Sequence, residues 1–501
     1  MNLIKKISLS NSYIVLLLYI LSSSYAIFIG SKGFAGFDLS PMISLAQSLH
    51  SGLSYHAFID NPISPGFAVI LKFLSYFAGE VSWDMFIWGA IFFSGFFILI
   101  ASYYNRKSSC SYNLVFFSFL IGSLIPLITD GHLYLHDVSN LIAIFSSYLL
   151  YIIIQESYYK KILCLPIFIL AFSLVFLFFM RANTGMGFAI INFLILLGYI
   201  ILDSKEKILI RLKLSFFWVS IVIFTFFILK FFFSSFISAD ILQYIKNIIS
   251  MGEARSVIHG SVDHGQLHFN ILERSGGKLK ENLLYFSQIL LILIIFIEIM
   301  FYKLCKKSSP AWLLSIIAVF LLLLTNNWKT IPIFLLFLLG SSIFINTIKE
   351  KSIKYFFKEL SIQKCLIFIW GISGVILSFI IIMQSYDVRS TSLSILILSA
   401  SIAFSAFNTY KIQDLKSVTP WVIIFIVMLS FEGSYRLKLI LAGPPMDRND
   451  YTAVLNNSFF NNHKTSQFHL RYESSIDKFF KDNEKLLKNK NVLFLSRIEY
   501  L

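Results

Sequence analysis

Residues able to do chemistry are few in this chain, and they sit in short groups between long apolar runs. The first group is Gly36-Phe37-Asp38-Leu39-Ser40-Pro41. A carboxylate such as Asp38, held where an apolar run ends, can take a proton from a hydroxyl. An Asp before Ser-Pro is also a good helix N-cap. The second group is Thr129-Asp130-Gly131-His132-Leu133-Tyr134-Leu135-His136-Asp137, with two acids and two histidines between two apolar runs. Ionisable groups at a membrane boundary are costly and tend to be functional; a solvated turn is the plainer reading. His132, His136 and a carboxylate supply zinc-type donors, but no third ligand is fixed. The third group is Arg181-Ala182-Asn183-Thr184-Gly185. A guanidinium fork suits a phosphate, and an Arg here can equally snorkel to the interface. Arg255 and Arg274 lie in a charged stretch with Gly276-Gly277, which fits a mobile cover over a cleft or an ordinary solvated loop.

The elements that position these groups follow from composition. The chain is 501 residues long, 57% hydrophobic and 14% charged, against about 25% charged for a soluble protein. Unbroken apolar runs of roughly 20 residues recur, which is the length of a transmembrane helix. Period-2 alternation is absent, so a β-barrel is excluded and helices are the way to satisfy the backbone in lipid. The expected fold is an all-α polytopic membrane protein with about 13 transmembrane helices. They lie near 12–30, 83–104, 112–128, 138–155, 162–180, 186–202, 213–234, 283–302, 311–325, 330–347, 364–384, 392–408 and 418–433.

Lysine and arginine set the expected orientation. Lys5 and Lys6, Arg106 and Lys107, Lys160 and Lys161, then Lys205, Lys207, Arg211 and Lys213 fall in alternate loops. They form one cytoplasmic set only if the apolar segment 63–79 does not cross. The N-terminus is then cytoplasmic and the tail 434–501 periplasmic. The net charge of +15 reads as this loop bias, and a nucleic-acid partner is not expected. Met42, Leu45, Leu49 and Leu53 fall at helical spacing, as in an amphipathic helix on the membrane surface. Cys110, Cys164, Cys305 and Cys365 form no expected disulfide framework or metal motif. The run from Ser12 to Gly30 reads as an uncleaved first span.

Asp38, the amphipathic helix, the Gly52-Leu53-Ser54-Tyr55 turn and the Asn61-Pro62…Pro65 entry to a second apolar helix together resemble the opening of the GT-C class of glycosyltransferases. The likeness covers about the first 105 residues. The Asp130–Asp137 turn resembles the Asp-His-Gly-His turn of some GT-C enzymes, with the first His missing and the spacing shifted. Arg181 and Asn183 are similar to what the class shows at the outer end of a span.

The resemblance implies a GT-C-like transmembrane domain over 1–433, with juxtamembrane helices in a first periplasmic loop, 31–82, and a long periplasmic loop, 235–282. It implies inverting transfer of a sugar, glucose being the first candidate, from a polyprenyl-phosphate donor. The acceptor is a surface polysaccharide such as O-antigen of lipopolysaccharide, or a lipid-linked glycan. The setting is the periplasmic face of the bacterial inner membrane. Asp38 is then the expected base, with Asp130 or Asp137 assisting. Arg181 meets the donor phosphate, with Arg255 and Arg274 as further cations, and His132, His136 and Asn183 line the substrate site. A divalent metal is used by some members only. An O-antigen polymerase and a lipid-linked oligosaccharide flippase are the alternatives.

Overall fold

The computed structural model describes residues 2–32, 40–55, 64–108, 114–129, 131–161, 164–180, 184–203, 205–241, 243–244, 246, 362–385, 390–406, 453–454 and 464–465. The helices among them are α1 (Asn2–Lys32), α2 (Ser40–His50), α3 (Pro65–Ala78), α4 (Trp83–Lys107), α5 (Leu114–Thr129), α6 (Leu135–Gln155), α7 (Leu165–Met180), α8 (Thr184–Ile201), α9 (Ile208–Ile237), α10 (Ile362–Ser385) and α11 (Ser390–Ser405). A 3-10 turn covers Tyr158–Lys160. The only regular extended structure among the described residues is an antiparallel pair in the tail, β1 (Ala453–Val454) with β2 (Lys464–Thr465).

Three helices, α4, α6 and α9, are long and apolar enough to cross a membrane; α3, α5, α7 and α8 are shorter apolar helices. Nine of the expected spans coincide with helices α1, α4 to α9, α10 and α11. The spans expected at 283–302, 311–325, 330–347 and 418–433 lie outside the described residues.

Local chemistry explains the ends of these helices. Ser82 caps α4 by accepting from the Met85 backbone N–H at 3.4 Å. Asp84 sits in the first turn of α4 and Arg106 and Lys107 in its last, each complementing the helix dipole. Pro65 opens α3, where a missing N–H does no harm, and Gly79 closes it at φ +79°.

Helices α4, α5, α7 and α8 pack around α6, which is buried along its length, and α9 packs on α7 and α8. The hairpin α10–α11 packs against α5, α6 and α8. Gly371 faces Ala403 and Gly374 faces Ser399 so closely that a Cβ on either glycine would collide. A polar staple crosses the apolar interior. Asn192 on α8 accepts from the Trp370 indole of α10 at 2.8 Å, and its amide donates to Ser146 and Ser147 of α6 at 3.2 and 3.0 Å. A buried amide is tolerated in such a core because its groups are paired.

At one end of the bundle, the 3-10 turn after α6 is tied to the α8–α9 connection. Lys160 Nζ lies 3.2 Å from Asp203 and 2.6 Å from Glu206. Tyr159 donates to Asp203 at 2.8 Å. Burial alone would raise the Asp203 carboxyl; bonds from Tyr159, the Lys205 N–H and Lys160 bring it below its ordinary value. Burial, then the contact with Asp203, pushes the Tyr159 phenol up. The expected loop containing Lys205, Lys207, Arg211 and Lys213 is shorter in the structure, because α9 begins at Ile208. Arg211 instead donates from within α9 to the Ile201 carbonyl at the end of α8, and so joins the two helices.

Helix α3 belongs to the opposite end. Its 14 residues span about 21 Å at 1.5 Å per residue, short of the roughly 30 Å hydrocarbon core. Gly66 abuts the Phe179 carbonyl and the Met180 sulfur in the last turn of α7, where an added Cβ would sit at 2.9 and 3.0 Å. Lys72 bonds the Phe236 carbonyl in the last turn of α9. Leu74 fills the space left by Gly89, two turns into α4. Helix α2 packs beside α3 and buries Met42, Leu45, Ala46 and Leu49. The fourth residue of its expected apolar stripe, Leu53, lies past the helix end and is exposed, because α2 stops at His50.

Candidate functional site

The end of the bundle that carries α2 and α3 also carries the α5–α6 turn. Pro126 lies within α5, and its carbonyl accepts from Gly131 at 3.0 Å to close the helix. Gly131 takes φ +66°, a conformation costly for a residue with a Cβ. The next backbone bond fixes the turn in place: Leu133 N–H donates to the Phe86 carbonyl of α4 at 2.8 Å. Leu133 itself is buried. The turn therefore rides on α4 rather than projecting freely.

His132 lies against Trp83, with ring centroids 5.0 Å apart. Trp83 is almost fully buried and donates its indole N–H to the Gly30 carbonyl of α1 at 3.1 Å. The His132 environment is thus set by α1 and α4 together. Tyr134 lies between the two histidines, 6.4 Å from His132 and 4.9 Å from His136, centroid to centroid. Each imidazole has its own aromatic neighbour. Among the described residues, no three of His, Cys, Asp and Glu gather in a way that could hold a metal ion.

Sequence reading puts His136 and Asp137 in a solvent turn, whereas the structure puts both in the first turn of α6, which starts at Leu135. The reason is local. Tyr134 is extended and serves as N-cap, and Val138 N–H already bonds its carbonyl at 3.1 Å. An acid in the first turn also meets the positive end of the helix dipole. Asp137 is only 2% exposed, so its carboxylate is packed inside the bundle end instead of facing bulk solvent. Ser139 and Asn140, the next polar residues of α6, are buried as well. Neither the Ser139 hydroxyl nor the Asn140 carbonyl oxygen has a hydrogen-bond partner among the described residues.

The structure brings together His132, His136 and Asp137 at the start of α6. Asp38, Asp130, Arg181, Asn183, Arg255 and Arg274 lie outside the described residues. The residues flanking Arg181 and Asn183 are described. Met180 and Thr184 end α7 and begin α8, and Met180 touches Gly66 of α3. Thr129 and Gly131 flank Asp130.

Sequence reasoning passed over three parts of this end. Trp83 and Tyr134 are the aromatic partners of the histidines, and no spacing rule pairs residue 83 with residue 132. Lys72 is a single cation in the apolar stretch Phe67 to Phe77, a signal that was legible without the structure. Tyr55 and Tyr244, one after α2 and one after α9, are both buried. Burial raises both phenols above their ordinary range, and their mutual proximity raises Tyr55 further. The segment after α9 therefore comes near the segment after α2. Among the described residues, Cys164 and Cys365 are free thiols.

In comparisons with known proteins, no family model matches the chain and no curated protein matches it.

Proposed function

We propose that this chain is a membrane glycosyltransferase that moves a sugar from a polyprenyl-phosphate donor to a glycan or lipid acceptor. The observation that carries the reading is the near-complete burial of Asp137, beside two histidines at one end of an apolar helical bundle. Burying a carboxylate is expensive, and a site that does so at a bundle end has a use for it. The cluster is also rigidly held, by the Leu133–Phe86 and Trp83–Gly30 bonds, as a substrate-positioning site must be.

In the proposed reaction the acceptor hydroxyl oxygen attacks the anomeric carbon. The bond from that carbon to the phosphate oxygen breaks, and polyprenyl phosphate leaves with the bonding pair. A carboxylate takes the hydroxyl proton. Asp38 is the proposed base; Asp137 and Asp130 orient the acceptor. Arg181 meets the negative charge that builds on the leaving phosphate. His132, His136 and Asn183 bind the sugar or acceptor, and Arg255 and Arg274 are further cations for the donor. The proposed setting is the bacterial inner membrane, with the His132 end on the periplasmic side.

The test is sugar transfer from a polyprenyl-phosphate donor in membranes bearing the chain. Activity that needs the chain and falls in Asp38→Asn and Asp137→Asn, at equal expression, supports the reading. Absence of transfer from any polyprenyl-phosphate hexose overturns it.

A further inference from the structure

Lys72 is a lysine in the middle of an apolar helix. Its ammonium donates to the Phe236 carbonyl at 2.6 Å. It also lies 5.0 Å from the Phe236 ring centroid and 5.8 Å from that of Tyr76. Part of this is helix capping, since a cation is favourable at the unpaired carbonyls that end α9. Yet an ammonium has three N–H donors, and one carbonyl uses one of them. Lys72 takes part in no ion pair among the described residues, unlike Lys160, which pairs with Asp203 and Glu206. A cation in an apolar setting calls for an anion.

The surroundings specify what kind of anion. On the outer side of α3, Phe73 is 51%, Tyr76 55% and Phe77 85% exposed. Phe73 and Phe77 stack along the helix. On α9, Phe232 stacks on Phe236, whose ring Lys72 meets, and is itself exposed. A soluble anion gains nothing from such walls, whereas acyl chains do. His50, at the end of α2, sets its ring 5.6 Å from Tyr76. Its Nδ1 is buried and has no hydrogen-bond partner among the described residues. Tyr76 is therefore close to two nitrogen-bearing side chains, Lys72 and His50.

We infer that the junction of α2, α3 and the C-terminal turn of α9 binds a bilayer phospholipid. The phosphodiester sits on Lys72 beside His50 and Tyr76, and the acyl chains lie on the exposed aromatics of α3 and α9. Lys72 then joins three partners: the α9 carbonyl, the aromatic rings and the lipid phosphate. The bound lipid would hold α2 and α3 against α9 at the end that carries His132. This inference stands on Lys72 and its neighbours and does not depend on the transferase reading.

The experiment uses the full chain purified in detergent, with thermal unfolding and native mass spectrometry as readouts. Dioleoyl-phosphatidylglycerol should raise Tm and remain bound through washing. A galactosyl diacylglycerol with the same chains and no phosphate should do neither. Lys72→Met should weaken phosphatidylglycerol binding about tenfold, as expected for losing one charge-assisted contact, and abolish the lipid-dependent rise in Tm. Lys72→Arg should keep it. A purely capping role predicts a lower Tm in Lys72→Met with the lipid-dependent rise unchanged, and that result overturns the inference. So does an equal rise with the phosphate-free lipid. Displacement of phosphatidylglycerol by equimolar polyprenyl phosphate also overturns it, because Lys72 would then belong to a donor site. These last two arms use the wild-type chain, so they decide the matter even where Lys72→Met does not fold.

Discussion

The Trp83 indole lies 5.0 Å from the His132 imidazole, tilted by 45°, while its N–H reaches back to the Gly30 carbonyl. One side chain thus links the end of α1, the start of α4 and the α5–α6 turn. Trp83→Phe keeps an aromatic ring beside His132 and removes the bond to Gly30. The expected loss is about 1 kcal/mol, the usual net value of one hydrogen bond. Trp83→Ala also empties a buried site and should cost about 3–5 kcal/mol. Thermal unfolding in detergent checks the order. Under the proposed function, transfer activity should fall in Trp83→Ala more than its stability accounts for, because His132 loses its support.

Asp137 separates a structural acid from a chemical one. Asn has the shape of Asp and keeps a hydrogen-bonding carbonyl, but it cannot carry charge. If the Asp137 carboxylate orients the acceptor, Asp137→Asn should lower transfer about 100-fold, with expression and Tm close to wild type. Full activity in Asp137→Asn would leave Asp137 as a first-turn acid of α6 and nothing more. A pH–rate profile of the variant adds a second readout, since removing a working carboxylate alters the acidic limb.

The helical character of the chain was legible from sequence because apolar runs must satisfy their own backbone bonds, and helices α1 and α4 to α11 fall where those runs lie. Helix starts were less legible. Arg211 and Lys213 read as loop because charge marks span ends, yet α9 absorbs both, the Arg211 guanidinium finding a carbonyl at the end of α8. The start of α6 was missed for a related reason: His136 and Asp137 look like turn residues, but a first helical turn accepts an acid readily. At the candidate site, sequence could nominate His132, His136 and Asp137 by type. It could not supply Trp83, because the pairing depends on how α4 packs against the turn. Lys72 was the opposite case. Its isolation in an apolar stretch was visible, while its partner, the Phe236 carbonyl 164 residues away, was not.

The Lys160–Asp203–Glu206 cluster predicts an acid limit to stability. Asp203 is held below its ordinary value of 3.8. A group depressed in the folded state contributes stability above its unfolded pKa and loses it as pH falls through the folded one. The wild-type chain should therefore keep this contribution at neutral pH and lose it below about pH 4. Asp203→Asn should be less stable than wild type at pH 7 by about 1–2 kcal/mol, and the gap should narrow as pH falls. Thermal unfolding at pH 7, 5 and 3.5 measures it. A gap that stays constant with pH would mean that the carboxylate charge contributes nothing.

Asn192 offers a test of how the α10–α11 hairpin is held. Its carbonyl accepts from Trp370 at 2.8 Å, and its amide serves Ser146 and Ser147, so one residue of α8 connects α6 and α10. Asn192→Leu removes all of these bonds and leaves the Trp370 N–H unsatisfied in an apolar interior, at an expected cost of about 1–3 kcal/mol. Trp370→Phe removes the donor too. If the penalty arises from the stranded indole, the double variant should be more stable than the two single losses summed, with a coupling of about 1 kcal/mol. Additive losses would mean that Asn192 holds α8 to α6 through the serines alone. The same variants should loosen α10 selectively. Gln363 at its first turn lies 3.5 Å from Asp203, so amide exchange at the start of α10 should rise in Asn192→Leu while that of α4 stays unchanged. Exchange rising equally in both helices would assign the staple to the whole bundle rather than to the hairpin.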